Sequence, residues 1–297
     1  RDRRVSPPSP SSSAPCARAR PRRTARRAFA PVCRALRRRA RRRRTMEYVS
    51  FEGLRLDGRR AREIRATTIV LGVDATVDGS CEYAVGNTRV LATVEGPTEY
   101  RAVGSEGDLE PTCAVEARHR ESAFAQDGAR EARRYDRRAQ EFSRTLTGVL
   151  ESAIVGTLMP RARIRVTTQV LANDGGARAA AVNAATLALI DAGVPLRDML
   201  AAVTVGYIDG HVLVDVNRAE ERARGVELTL CAFAGGGDGD AHVVVGEQLD
   251  RGKCAVDVFE SMHDLALAAT RVVGARMRKA TLKRTRSLAT SRALEKF

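Results

Sequence analysis

The chain has 297 residues, is 43% apolar and contains no tryptophan, enough for one large domain or two small ones with a core of Ala, Val, Leu and Ile. Its formal net charge of +15 resembles that of a nucleic-acid binder until it is located: residues 1–45 hold 17 arginines and a single acid, Asp2, for a net +16, leaving residues 46–297 at net −1. A global basic field is thereby excluded as an argument for RNA or DNA binding by the body, and any such site must be a local cluster.

Residues 1–45 are rich in Arg, Ser, Pro and Ala and read as a basic disordered segment that cannot bury a core. Sequence upstream of a start at Met46 is the favoured reading, ahead of an organellar transit peptide and a nucleic-acid arm. From Met46 a folded pattern begins. After the polar turn Leu56-Asp57-Gly58-Arg59-Arg60, strands are predicted at Thr67 to Val73, Ser80 to Val85 and Thr88 to Val94, the last two joined as a hairpin at Gly86-Asn87, with Gly96-Pro97 ending the third. Residues 100–133 carry one predicted strand, Thr112 to Ala117, and then a polar loop. A helix is predicted from about Tyr135 to Val155, because Phe142, Leu146, Val149, Leu150 and Ile154 recur at spacings of three and four; Pro160 would stop it.

An alternating strand from Ile164 to Val170 leads into Asp174-Gly175-Gly176-Ala177-Arg178 and an alanine-rich helix to Ala192, expected to lie close against a sheet. A second hairpin, Ala201 to Ile208 and Val212 to Val216, turns at Asp209-Gly210-His211. Strands at Val226 to Phe233 and His242 to Val245 and a helix from Val256 to Lys283 complete an α+β pattern of mixed sheets covered by helices.

Six dispersed cysteines without CxxC spacing (Cys16, Cys33, Cys81, Cys113, Cys231 and Cys254) suggest reduced thiols rather than zinc or a disulfide framework. No apolar run nears the roughly 18 residues that span a bilayer, so no membrane association is expected.

Three elements carry candidate chemistry. The turn from Asp174 to Arg178 joins free N–H groups, a positive helix end and a guanidinium, which suits an anion, although an ordinary strand-to-helix turn would use the same glycines. In Asp136-Arg137-Arg138 two adjacent guanidiniums could hold a phosphodiester, or simply form a solvated helix start. Asp209 and Asp215 are an even six residues apart across a tight turn, which would bring two carboxylates onto one strand face for a metal or an acid. Against this, Asp209 is also what an Asp-Gly hairpin turn requires; Glu220 and Glu221 could join the cluster or be surface charges. The Gly235 to Asp240 run lacks the lysine of a P-loop and reads as a hairpin connection, and Asp127-Gly128 reads as a turn.

Taken together, the segments Met46 to Arg60, Asp136 to Arg138, Gln169 to Pro195 and Val205 to Glu221 resemble the RNase PH family, and within it the exosome ring branch, over most of residues 46–290. The resemblance implies an RNase PH-like fold of βαβα units for residues 46–297. It implies a hetero-hexameric ring with other RNase PH-like subunits, RNA-binding cap subunits and single-stranded RNA threaded through it, in nucleus, nucleolus and cytoplasm. Active members cut RNA from its 3′ end with inorganic phosphate and release nucleoside diphosphates. By resemblance, Arg137 and Arg138 would hold RNA, Arg138 with Gly176, Ala177 and Arg178 the phosphate, and Asp209 and Asp215 would serve as acid or Mg²⁺ ligands. Active relatives usually carry Ser or Thr where this chain has Ala177, and residues 100–134 depart from the pattern. A catalytically silent scaffold for hydrolytic nucleases, and a free-standing tRNA-trimming phosphorolase, are the competing functions.

Overall fold

The structure, a computed structural model, describes residues 48–99, 113–125, 137–234, 243–250 and 252–291. The expected features at Asp127-Gly128, Asp136 and Gly235 to Asp240 lie outside them.

Among the described residues, nine strands form two sheets. The first joins β1 (Thr67–Leu71), β2 (Gly79–Val85), β3 (Thr88–Glu99), β4 (Ala114–Glu121) and β5 (Ala162–Ala172) in the order β1-β2-β3-β5-β4. Only the β4–β5 pair is parallel. The second, antiparallel throughout, joins β6 (Leu200–Ile208), β7 (His211–Val214), β8 (Val226–Phe233) and β9 (Val244–Asp250) in the order β7-β6-β8-β9.

The helices are α1 (Arg137–Ala153), α2 (Ala177–Asp191), the single turn α3 (Arg218–Glu221) and α4 (Val256–Ser291). Every residue of α2 from Ala179 to Leu189 is buried, and the helix touches β2 and β3 of one sheet and β6 and β8 of the other. Its alanines therefore do more than let it approach one sheet: they let it fit between two. Gly79 in β2 shows how close the fit is, since a Cβ there would stand 2.3 Å from the Ala188 carbonyl oxygen. At the centre of α2, Asn183 donates to the Ala202 carbonyl (3.0 Å) and accepts from the Ala202 amide (2.7 Å). It thereby satisfies β6 beyond the end of its pairing with β7, which stops at Val205. Strand β6 is buried on both faces, as a strand covered by α2 and α4 must be.

Several boundaries differ from the sequence expectation. β3 continues through Gly96-Pro97 to Glu99; the proline falls where the register against β5 slips between Glu95 and Thr98, so its missing N–H breaks no ladder bond. Helix α1 ends at Ala153, before Pro160, and a 3-10 turn at Gly156–Leu158 follows. β9 runs to Asp250, and α4 continues eight residues past Lys283 because no Gly or Pro interrupts it after Gly274.

Burial pushes the Cys81 thiol up to about 12, with Asp191 and Glu82 adding to it, and burial alone pushes Cys231 up to about 12, against 9.0 for a free thiol. Between these values the unfolded chain releases protons that the folded chain retains, so stability holds below pH 9 and falls above it. Urea melts should show a loss of about 2 kcal/mol per thiol by pH 10.5 that the Cys81→Ala/Cys231→Ala chain lacks.

Candidate functional site

Three segments distant in sequence meet at the start of α2. The first is the turn Asn173 to Gly176. The Asn173 side chain accepts from the Gly175 amide (3.1 Å), and Thr88 accepts from the Asp174 amide (3.1 Å) and donates to the Gly175 carbonyl (2.8 Å). Gly175 and Gly176 take φ of +91° and +68°. A Cβ on Gly175 would stand 2.5 Å from the Val216 carbonyl oxygen and the Asn217 carbonyl carbon, so this glycine is required by position as well as by conformation. Gly175→Ala should cost roughly 2 kcal/mol or more in a urea melt.

The second segment is the loop from Asp215 through α3. Asn217 caps α3 with a reciprocal Glu220 contact, a capping box, and the Arg218 amide donates to the Asp174 carbonyl (3.0 Å), tying the loop to the turn. Glu220 is fully buried and serves the fold, whereas Glu221 accepts from the Gly176 amide (3.0 Å) and from the Arg218 side chain (3.0 Å).

The third is the N-terminal hook, residues 48–65. Arg55 is buried; it donates through Nε to Glu220 (2.7 Å), through Nη2 to the other Glu220 oxygen, and to the carbonyls of Val214 (2.6 Å) and Asp215 (2.9 Å). Arg65 grips Asp215 through Nε (2.9 Å) and Nη2 (2.6 Å) while donating to the carbonyls of Asp174 (2.9 Å) and Gly175 (3.0 Å). One guanidinium thus joins the turn to the carboxylate. Burial pulls the Arg65 guanidinium down, but Asp215, hydrogen-bonded and charged beside it, leaves it above its ordinary value. Arg59 stands 3.5 Å from the same carboxylate. It also grips Asp57 (2.7 Å); burial pushes the Asp57 carboxyl up, yet Arg59, Asn217 and Arg55 hold it below the usual carboxylate range. Behind the turn a cavity of about 30 Å³, room for one water, is lined by Arg65, Gly176, Asn183, Thr204 and Asp215.

Asp209 does not belong to this group. It occupies the left-handed position of the β6–β7 turn (φ 51°), is exposed, and accepts from the Tyr48 amide (3.1 Å). Asp215 lies at the other end of β7, so the four strand residues between them, at about 3.3 Å each, hold the carboxylates apart. The even spacing that was to put both on one face spans a turn, and the turn chemistry of Asp-Gly explains Asp209. The Mg²⁺ reading fails on the same geometry: both Asp215 oxygens face guanidinium groups, and among the described residues no group of three or more His, Cys, Asp or Glu is placed to hold a metal.

Arg178 opens α2, ion-paired with Asp250 of β9 and with its guanidinium carbon 5.8 Å from the Phe142 ring centre. Phe142 is one turn along α1 from Arg138, on the same helical face. Arg137 instead pairs with Glu141 (3.0 Å) and is 92% exposed. Ala177 offers the turn a methyl group and no hydroxyl.

The residues that sequence reading passed over are Arg55, Arg59 and Arg65. One signal was available: Asn217-Arg218-Ala219-Glu220 has the spacing of a capping box, which forecasts α3 and places Glu221 on it.

Two sheets around an alanine-rich helix, with a Gly-Gly turn, an Arg65–Asp215 clamp and a helix start beside them, define a domain of the RNase PH type. The pattern described as "3′ exoribonuclease family, domain 1" matches residues 63–195, and domain 2 of that family matches residues 198–269. The chain is 36% identical over 248 residues to an Arabidopsis thaliana protein named as an exosome complex component RRP41 homolog, covering 84% of this chain and all of that one. It is 42% identical over 193 residues to human exosome complex component RRP41, covering 65% of this chain and 78% of the relative. The crystal structure of rice Rrp46 superposes with a TM-score of 0.67 at 25% identity, covering 77% of this chain and all of that chain. The chain belongs to the RNase PH, or 3′ exoribonuclease, family.

Proposed function

We propose that this chain is a ring subunit of an exosome and degrades single-stranded RNA from the 3′ end with inorganic phosphate, releasing nucleoside diphosphates. The observation that carries the reading is the Arg65 clamp, which fixes the Gly175-Gly176 turn and the Asp215 to Glu221 loop against the start of α2. Other RNase PH-like subunits complete the ring, cap subunits deliver RNA, and the assembly works in nucleus, nucleolus and cytoplasm.

Phosphorolysis needs no general base to create its nucleophile, which enters as an anion; the obstacle is bringing two negative groups together. The first-turn N–H groups of α2 and the guanidiniums of Arg178 and Arg138 oppose that repulsion. Arg137 and Arg138, exposed at the start of α1, meet the RNA backbone. Asp215 holds Arg65 in place through Nε and Nη2. Glu221, one hydrogen bond from the turn, is the carboxyl to which this reading gives the proton relay. Released from the Gly176 amide by the incoming hydrogen phosphate, it takes up the proton that the phosphate loses and passes it to the departing 3′ oxygen.

With the assembled ring and 3′-labelled RNA, Glu221→Gln should cut phosphate-dependent release about 100-fold or more, whereas Asp209→Asn should leave it within about twofold. Equal losses would place the carboxylate chemistry elsewhere.

A silent scaffold serving hydrolytic nucleases is the second reading. Ala177 supplies no hydroxyl, Asp250 engages Arg178, and Glu221 sits on the Gly176 amide that a phosphate would use. The missing hydroxyl weakens anion binding by about 1.5–3 kcal/mol, which a phosphate excess can offset.

A further inference from the structure

The local basic cluster that the charge distribution calls for lies on α4. From Leu265 to Ser291 the helix carries seven basic residues and no acid, whereas its opening turns hold Asp257, Glu260 and Asp264. Besides Arg271 near its middle, six of these lie between Arg276 and Arg286. Three of them serve the fold: Arg276 donates to the Arg65 carbonyl (3.0 Å) and to Thr67 (3.1 Å), Arg278 to the Ala234 carbonyl (3.3 Å), and Arg284 lies 4.0 Å from Asp191.

Lys279, Lys283 and Arg286 form a row on the side of α4 away from its buried residues Ala266, Val273 and Met277, beginning about 20° from Arg276. All three are exposed, and no carboxylate among the described residues pairs with them. Their i, i+4, i+7 spacing sets them within about 60° of arc, with rises of about 6 Å and 4.5 Å between successive positions. Attraction to the helix dipole does not explain the row, since that attraction is confined to the last turn, which contains no basic residue. Lys279 and Lys283 are moreover a like-charged i, i+4 pair, which a helix tolerates at a cost unless an anion relieves it.

We propose that the face of α4 bearing Lys279, Lys283 and Arg286 binds the phosphate backbone of single-stranded RNA, away from the turn at the start of α2. The inference rests on the RNA-degrading reading above. A linear row of cations with no base-reading geometry fits a flexible polyphosphate in a sequence-independent way. Because the row lies on a regular helix anchored through Arg276 and Arg284, its spacing is fixed before RNA arrives.

The test is binding of a labelled 30-nucleotide polyuridine by the full chain in its assembled ring, measured by anisotropy across a potassium chloride series. The Lys279→Gln/Lys283→Gln/Arg286→Gln chain should bind roughly tenfold or more weakly at 0.1 M salt, and its slope of log affinity against log salt should be shallower by about 2, three contacts at about 0.7 each. Lys283→Gln alone should give about one third of the slope change, and stands in if the triple variant does not assemble. Unchanged affinity and slope while the parent ring binds RNA overturns this inference alone; a parent ring that binds no RNA overturns the functional reading with it. Loss of polyglutamate binding with RNA binding intact would assign the face to an acidic protein and also overturn the proposal.

Discussion

Arg65→Met is expected to lower stability by about 3–5 kcal/mol and to abolish phosphate binding at the turn. Removing one partner of a buried ion pair leaves the other charge uncompensated, and Asp215, 8% exposed, then keeps the backbone amide of residue 65 (2.9 Å) and faces Arg59 at 3.5 Å as its remaining cation. The carbonyls of Asp174 and Gly175 each lose one of two donors at the same time, keeping the Arg218 amide and the Thr88 hydroxyl, so the turn is loosened as well as losing its neighbouring charge. Urea melts with and without phosphate separate the two effects. The parent chain should gain stability with phosphate, and Arg65→Met should gain none. Replacing both partners, Arg65→Met with Asp215→Leu, should recover most of the stability but not the phosphate effect, because the pair is costly to break and cheap to remove together.

Arg55→Met should be about as damaging to stability, again roughly 3–5 kcal/mol, since Glu220 is left buried with only its capping bonds at Asn217. A double-mutant cycle with Glu220→Gln should give a coupling of about 2–3 kcal/mol, whereas an Arg55 that merely fills space would give additive losses. The functional consequence differs from that of Arg65. Arg55 also donates to the Val214 and Asp215 carbonyls, so its loss should loosen the whole Asp215 to Glu221 loop and lower turnover while leaving RNA affinity near the parent value.

What was legible in the sequence follows the reach of the physical signal. Periodicity located α1, α2 and most of the strands because burial acts on every residue of such elements, and the Ala180 to Ala188 run announced a closely packed helix. Periodicity did not reveal that α2 lies between two sheets, although a helix apolar on all sides carries that information. Terminators were less dependable. Gly96-Pro97 reads as an end, yet a proline in a register slip lets β3 continue.

In the site, the Gly-Gly turn and the arginine after it were readable from local chemistry. Arg65 was not, because its role depends on residues 109, 110 and 150 positions away. A lone arginine in a basic stretch gives no sign of such partners. Asp209 shows the opposite error: two carboxylates at even spacing look paired until the turn between them is given its own requirement for a left-handed residue. Glu221 lay in between, since the capping-box spacing at Asn217 and Glu220 would have fixed its helix and therefore its direction.

The central claim, that the turn clamped by Arg65 is a phosphorolytic centre, is tested most directly by one assay. The reconstituted ring is given 3′-labelled single-stranded RNA with and without inorganic phosphate, and the released nucleotide is identified. Nucleoside diphosphate that appears only with phosphate, and is lost in Glu221→Gln, is the expected result. No nucleoside diphosphate at any phosphate concentration, from a ring that assembles and binds RNA, would contradict it and leave the chain as a scaffold.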